Sequence, residues 1–143
     1  MLPALMATAP PQGISIENLH SNEQTSGCGY GYFLGYTNKE GQPEVFAEDN
    51  IPDNDGDRVC RIRVNGELHR VTFISRSGTT KMSGKGSIGG KFTEVWGDSS
   101  LKVTFHCTIT AFLFGEETDF QGLMILELGK SKRSFKVRGF LGC

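Results

Sequence analysis

A run of alternating apolar and polar residues constrains the fold of this chain more than any other feature of its sequence. In the segment "LKVTFHCTITAFLF", which begins at Leu101, every second side chain is apolar or a cysteine as far as Leu113. Successive side chains of a β-strand point to opposite faces of its sheet, so the pattern predicts a long strand with one buried face. No long segment repeats with the 3.6-residue period of an amphipathic helix, which indicates an all-β protein.

The segment "RVCRIRVNGELHRVTFI" predicts a β-hairpin. Its turn is Asn65–Gly66, a favoured pair because both central residues of a type I′ turn need a positive φ. A two-residue turn determines the register of the two strands, so Cys60 should lie opposite Val71. On the other face Arg61 should lie opposite Arg70, a like-charge pair that needs acidic groups or an anion nearby.

Shorter segments predict the remaining strands. They are "GCGYGYFLGY", "QPEVFAED", "GKFTEVW", "FQGLMILEL" and "RSFKVRGFLGC". With the hairpin and the long strand they make about eight antiparallel strands joined by short turns, which favours an up-and-down barrel or a closed sandwich. We therefore expect one β-barrel-like domain over residues 27–143. Residues 1–26 would then be a signal-peptide remnant or a flexible N-terminal arm.

The glycines of Gly27–Tyr36 raise the question of a phosphate-binding loop. A dinucleotide-binding loop has the spacing G-x-G-x-x-G between a strand and a helix, because the pyrophosphate then meets the helix N-terminus. Here the spacing is G-x-G-x-G, and the following residues predict a strand that runs into a turn. We interpret the glycines as allowing a tight bend or the close approach of another backbone, and we expect no cofactor.

Four cysteines suggest an oxidising compartment. Cys28, Cys60, Cys107 and Cys143 are widely spaced and form no C-x-x-C pair, so the usual zinc and thioredoxin spacings are absent. The small apolar N-terminus ends in "ATA", which is similar to the end of a secretory signal. We expect a periplasmic or secreted protein with two disulfides, Cys60–Cys107 from strand phase and Cys28–Cys143 from their positions at the chain ends. Four buried thiols are the alternative.

Charge and hydropathy exclude several kinds of partner. The net charge of −1 and the isoelectric point near 6.3 argue against nucleic-acid binding. No apolar run is long enough for a transmembrane helix. A calcium-stabilised turn at Asp53, Asp55 and Asp57 is an alternative interpretation, but Ile51 and Ile62 stand where an EF-hand needs oxygen ligands. Asp and Asn are also common simply as turn residues, so we expect no metal site.

Two groups of residues are candidates for binding a partner. The segment between residues 74 and 90 is polar and rich in serine and glycine, and it predicts a long loop of the kind that carries binding residues on a rigid β-scaffold. Its candidate binding residues are Ser75, Arg76, Ser77, Gly78, Thr79 and Lys81. The second group, Arg61, Arg63 and Arg70, is a candidate anion or partner patch on the hairpin. The neighbouring acidic stretch could instead pair with these arginines.

The stretch "SRSG", followed by "KFTEVWG", resembles a family of small periplasmic barrels that inhibit c-type lysozymes. The resemblance covers some twenty residues. In that family a Ser-Gly loop is inserted into the cleft of the enzyme, which implies a hydrolase as the protein partner here. Lys81 stands where the loop of the family has a tyrosine.

These observations predict a non-enzymatic binding module that acts on a protein partner, with inhibition of a hydrolase as its most concrete form. The first alternative is a carrier of a small apolar ligand, held inside the barrel by residues such as Tyr32, Phe73, Phe105 and Ile109. The second is an enzyme, for which the sequence offers only His69 at a diagonal position to Cys60 on the hairpin.

Overall fold

Nine β-strands and almost no helix make up a computed structural model of the chain, which describes residues 13–25, 28–49, 58–79 and 87–142. The strands are β1 (Ile16–Glu17), β2 (Gly29–Leu34), β3 (Phe46–Glu48), β4 (Val59–Val64), β5 (Glu67–Gly78), β6 (Lys91–Gly97), β7 (Leu101–Leu113), β8 (Glu117–Leu128) and β9 (Ser131–Gly142). A 3₁₀ turn covers Ser21–Glu23. Within the described ranges, none of the helical structure is long and apolar enough to span a membrane.

Strands β2 to β9 form a closed antiparallel barrel. Each strand pairs with its neighbours in sequence, and β9 pairs with β2 to close the ring. The short strand β1 is additional and pairs with the end of β4. The predicted all-β architecture is confirmed, and of its two forms the structure is the up-and-down barrel. Closure leaves the eight barrel strands with neighbours on both sides.

The register of the predicted hairpin is confirmed. Cys60 lies opposite Val71 and Arg61 opposite Arg70. The turn has the expected type I′ signs, with φ of 52° at Asn65 and 80° at Gly66. The long strand β7 also forms as predicted and alternates in burial as far as Ile109, where a bulge shifts its register against β8.

Aromatic side chains fill the barrel interior. Tyr32 and Phe105 stack with ring centroids 3.9 Å apart, and Phe46 packs edge-on against Phe105 at 4.8 Å. The carboxylate of Glu94 is buried among them and accepts hydrogen bonds from Tyr30 Oη at 2.7 Å and Trp96 Nε1 at 3.2 Å. The residues considered as the lining of an apolar-ligand cavity thus belong to, or pack against, one hydrophobic cluster, as in other small barrels filled by their own side chains.

The N-terminal segment 13–25 packs along the outside of the barrel. Ile14 and Leu19 are buried, and the backbone of Leu19 donates to the Glu44 carbonyl at 2.9 Å. These residues belong to the stretch expected to be a signal remnant or flexible arm. Residues 1–12 and 26 of that stretch lie outside the described residues.

The glycines of β2 serve close packing between strands. Residues 29–34 form a strand, as predicted, and Gly27 lies outside the described residues. A Cβ added to Gly31 would come within 1.9 Å of Glu44 Oε2 and 2.6 Å of the Phe140 ring. The space beside Gly31 is therefore filled by side chains of neighbouring elements, where the sequence suggested a bend or another backbone.

The predicted Cys60–Cys107 disulfide is wrong. Both residues are free thiols buried in the barrel interior. They have the same inward phase, but β4 and β7 are separated by β5 and β6, and neighbouring strands are about 4.8 Å apart. A disulfide needs Cα atoms within about 7 Å, so pointing to the same side of the sheet does not by itself bring two cysteines close enough to bond. Burial raises the pKa of the Cys107 thiol to about 12. The Cys28–Cys143 pairing stays a prediction, because residue 143 lies outside the described residues.

Candidate functional site

Four of the six candidate binding residues of the predicted loop lie in a strand. Residues 75–78 belong to β5 and pair with β6, with Ser77 opposite Thr93. A bulge between Phe73 and Ser75 allows the strand to continue, with Arg76 beside the interior carboxylate Glu94 at 3.8 Å. Residues 75–78 are polar or glycine, a composition typical of loops, so the sequence predicted a loop there. The prediction is wrong for these four residues because they form the end of β5, where Glu94 accommodates Arg76. Thr79 follows the strand, and Lys81 lies outside the described residues.

The predicted arginine patch is engaged by the chain itself. Arg63 donates to both carboxylate oxygens of Glu23, at 2.8 and 2.6 Å. Arg61 donates to two backbone carbonyls of the N-terminal segment, each at 3.4 Å. Arg70 donates to Asp49 at 3.1 Å. These contacts agree with the alternative that the arginines pair with groups of the same chain. Asp49 belongs to the acidic stretch expected to provide such partners, whereas Glu23 was not expected from the sequence.

The remaining chemical candidates are the acidic stretch and His69. Asp53, Asp55 and Asp57 lie outside the described residues. Within the described ranges, no three His, Cys, Asp or Glu side chains are grouped so that they could hold a metal ion. The buried His69 ring places Nδ1 2.7 Å from Asp98 Oδ2, so its close partner is this carboxylate.

A groove on the outer face of the barrel was not anticipated from the sequence. It has a volume of about 420 Å³ and lies over β8, β9 and β2, beside the loop that follows β2. We call it the Arg138 groove. Its side-chain lining is aromatic and charged, contributed mainly by Phe33, Tyr36, Asn38, Glu117, Asp119, Arg138 and Phe140.

Arg138 forms one wall of this groove and holds the loop after β2. Its guanidinium donates to the carbonyls of Leu34 at 3.0 Å and Gly35 at 3.2 Å, to Gln42 Oε1 at 2.7 Å, and to Asn38. It also lies over the Phe33 ring, 4.9 Å from the centroid. Partial burial lowers the pKa of Arg138.

Two carboxyl groups form the opposite wall. Glu117 and Asp119 are two residues apart on β8, so both point outward. Burial, together with the hydrogen bond and negative charge of Glu117, raises the pKa of Asp119 to about 7. At neutral pH Asp119 is therefore protonated in about half of the molecules.

A second groove adjoins the first and shares Gln121 with it. Its volume is about 400 Å³, and its polar side chains come from β5, β6, β7 and β8. Thr93 and His106 are hydrogen-bonded there, with Oγ1 and Nδ1 2.8 Å apart. Ser77 and Gly78 of the predicted binding segment lie at its edge.

The β7–β8 turn presents an exposed aromatic ring. Phe114 is 97 % exposed and has a φ of 53°, a left-handed conformation that is rare for bulky residues. Gly115 follows with φ of 72°, and Glu116 N donates to Leu113 O at 3.0 Å, which closes the turn. The turn lies at the same barrel end as the last residues of β3 and β5, and this end is here called the loop end.

Comparisons with known proteins give no family for this chain. A scan against protein-family models and searches of curated proteins and solved structures found no match. The groove and the turn are therefore the features from which function can be inferred. The "LFGE" turn, with a phenylalanine where asparagine or glycine is usual, is the sequence signal that could have identified Phe114.

Proposed function

We propose that this protein is a non-enzymatic module that binds a protein partner through its loop end. The observation that carries the proposal is Phe114, an almost fully exposed ring at the tip of the β7–β8 hairpin. Buried aromatic anchors dominate the energetics of many interfaces. The Phe114 ring is not buried against the barrel, so its apolar surface is accessible to a partner.

The backbone conformation of Phe114 also supports a role in binding a partner. A non-glycine residue in the left-handed region costs on the order of 1–2 kcal/mol, and Asn tolerates this conformation better than Phe. Such strain is concentrated at functional positions. Because the side chain is exposed, packing within the barrel does not compensate for the cost.

The surroundings of Phe114 extend the proposed interface. Ile88, which is 50 % exposed, lies on the same side of the loop end, because the following Gly89 donates to the carbonyl of Ile109 on β7 at 2.8 Å. Ser77 and Thr79 lie at the end of β5, also at the loop end. These positions lie in or next to the paired strands β5, β6, β7 and β8 of the closed barrel, which limits the entropy lost on binding.

A hydrolase of the c-type lysozyme class is the partner to test first, given the resemblance of "SRSG" and "KFTEVWG" to lysozyme-inhibiting barrels. We would measure both inhibition of cell-wall lysis and binding by calorimetry. Phe114→Asn should weaken binding by about 30-fold, the effect of losing a 2 kcal/mol hot spot. It should leave stability equal or higher, because Asn fits the left-handed turn.

Leu68→Asn is the matched control, since Leu68 is an exposed apolar residue beside the hairpin turn at the opposite barrel end. This variant should bind as the wild type does. Equal binding by Phe114→Asn would refute the role of the hairpin tip. Failure of the wild-type protein to bind lysozyme would refute the lysozyme class of partner.

We also propose a periplasmic or secreted location, with Cys28 and Cys143 joined as a disulfide. In support, Gly29 lies opposite Gly142 in the β2–β9 pair. Cys28 and Cys143 are the next residues in sequence on either side of this last pair. Mass spectrometry after alkylation of unfolded, unreduced protein should find two reactive thiols. Four would refute the disulfide and remove the main reason for this location.

A further inference from the structure

The two walls of the Arg138 groove carry opposite charges that do not neutralise each other. Arg138 donates its hydrogen bonds to uncharged oxygens of the loop after β2. Within the described residues, no carboxylate oxygen lies within 4.0 Å of this guanidinium. Its charge is thus positioned at the groove without a salt-bridge partner from these parts of the chain.

The carboxyl pair on the opposite wall also lacks an ion-pair partner among the described residues. Glu117 and Asp119 both line this groove from β8, and within the described residues neither forms an ion pair with a basic side chain. On the neighbouring strands Asp119 lies opposite Phe140 of β9 and Ala111 of β7, neither of which is charged, and the Thr110 hydroxyl donates to the Asp119 backbone carbonyl at 3.2 Å. A partly buried acid without a cation favours binding one.

The strand register determines the distance between the two walls. Asp119 lies opposite Phe140, whereas Arg138 lies opposite Gln121, so Asp119 and Arg138 are diagonal neighbours. Diagonal residues have Cα atoms about 7–8 Å apart, within reach of long side chains. Arg138 nevertheless extends toward the loop after β2 and leaves a gap between the charges. That gap can hold a small group that accepts and donates hydrogen bonds of about 2.8 Å.

We propose that the Arg138 groove binds a free α-amino acid, with its ammonium group at Glu117 and Asp119 and its carboxylate at Arg138. In an α-amino acid the ammonium and carboxylate groups are bonded to the same carbon atom. The molecule can therefore contact the carboxyl pair and Arg138 at the same time. The groove volume of about 420 Å³ lies within the range of small-molecule sites. This proposal is independent of the protein-partner function, which concerns the loop end.

The lining indicates which amino acids should bind best. Phe33 and Phe140 pack near each other, with ring centroids 6.1 Å apart, and both border the groove. Tyr36 covers one side and donates through its hydroxyl to the Gly122 carbonyl at 3.2 Å. Aromatic walls favour an aromatic or apolar side chain on the ligand.

The probe is L-phenylalanine, compared with phenethylamine and 3-phenylpropanoate, which each retain one of its two charges. Binding would be followed by calorimetry and by shifts of backbone amide NMR signals on β8 and β9. We expect the zwitterion to bind at least tenfold more tightly than either analogue. Equal affinity for phenethylamine would indicate a simple amine site, and absence of binding by L-phenylalanine would refute the proposal outright.

Asp119→Asn tests the carboxyl wall without changing its shape. We expect this variant to lose at least tenfold in affinity for L-phenylalanine. The control is Glu127→Gln, which removes a carboxylate of the same strand that pairs with Lys102 outside the groove. Unchanged affinity in Asp119→Asn, or an equal loss in both variants, would overturn the assignment.

The pH dependence provides a second readout. The ammonium group should bind the ionised form of Asp119, and the pKa of Asp119 is about 7. Affinity should therefore be about tenfold lower at pH 6 than at pH 8, because most Asp119 is protonated at the lower pH. The Asp119→Asn protein should lose this dependence. A wild-type affinity that does not change between these pH values would contradict the role of the carboxyl pair.

Discussion

The ion pair between Glu23 and Arg63 should determine how firmly the N-terminal segment is held on the barrel. Both carboxylate oxygens accept hydrogen bonds from the guanidinium, and Glu23 Oε1 also accepts one from the His20 backbone at 2.8 Å. The hydrogen bonds from Arg63 are the main reason that the pKa of Glu23 is lowered from 4.5 to about 2. That difference corresponds to at most about 3 kcal/mol of stability.

The expected contribution is smaller, because the pair lies at the barrel surface and salt screens it. The side chains of Arg63 and Glu23 are 17 % and 9 % exposed, between the values of open and fully buried pairs. We therefore expect Glu23→Gln to lower the free energy of unfolding by about 1–2 kcal/mol at neutral pH. The folded-state pKa is depressed, so this stability is present above pH 4.5 and is lost as the pH falls toward 2.

Urea unfolding of Glu23→Gln, Arg63→Gln and the double variant would measure the coupling between the two residues. The exposed pair Lys102–Glu127, whose charged atoms are 3.7 Å apart, provides the comparison and should show less than about 1 kcal/mol. A coupling at Glu23–Arg63 no larger than at this exposed pair would refute the reasoning. So would stability that does not fall between pH 5 and pH 3.

Three further predictions concern the barrel itself. Gly31→Ala should destabilise the protein by about 1–3 kcal/mol in thermal or urea unfolding, because its Cβ would overlap the Phe140 ring; unchanged stability would contradict the packing at this glycine. Cys60 and Cys107 should react with a thiol reagent only when the barrel opens, as burial predicts, so rapid labelling of the folded protein would disagree with the structure. Glu94→Ala should cost at least about 3 kcal/mol in urea unfolding by leaving its buried hydrogen-bond donors without an acceptor, and a loss below about 1 kcal/mol would argue against that network.

Local patterns in the sequence predicted the parts of the fold that depend on neighbouring residues. Alternation identified β7, and Asn65–Gly66 fixed the register of the hairpin with its Arg61–Arg70 pair. These succeeded because a strand has a two-residue period and a two-residue turn leaves one register. The same pattern did not anticipate the bulge after Ile109, since a bulge leaves no periodic signal of its own.

The candidate site was harder to predict, because its residues meet only after the barrel closes. Phe33 and Arg138 are far apart in sequence and become neighbours through the β2–β9 pairing. The polar composition of residues 75–78 indicated a loop, whereas Arg76 is accommodated in a strand by the buried acid Glu94. The Cys60–Cys107 disulfide was predicted because both side chains point into the barrel. That shared orientation does not show which strand lies beside β4, and in the structure β5 and β6 separate it from β7.

The pairing of β2 with β9 has a consequence for the order in which this protein folds. Gly29 and Gly142 are more than a hundred residues apart, whereas all other neighbours around the ring are consecutive in sequence. Because loop closure becomes less favourable with length, the contiguous β5–β8 meander should form early and the ring should close last. Until β9 docks, β2 remains an open edge that can pair with another chain, so the slow final step is also the one exposed to aggregation.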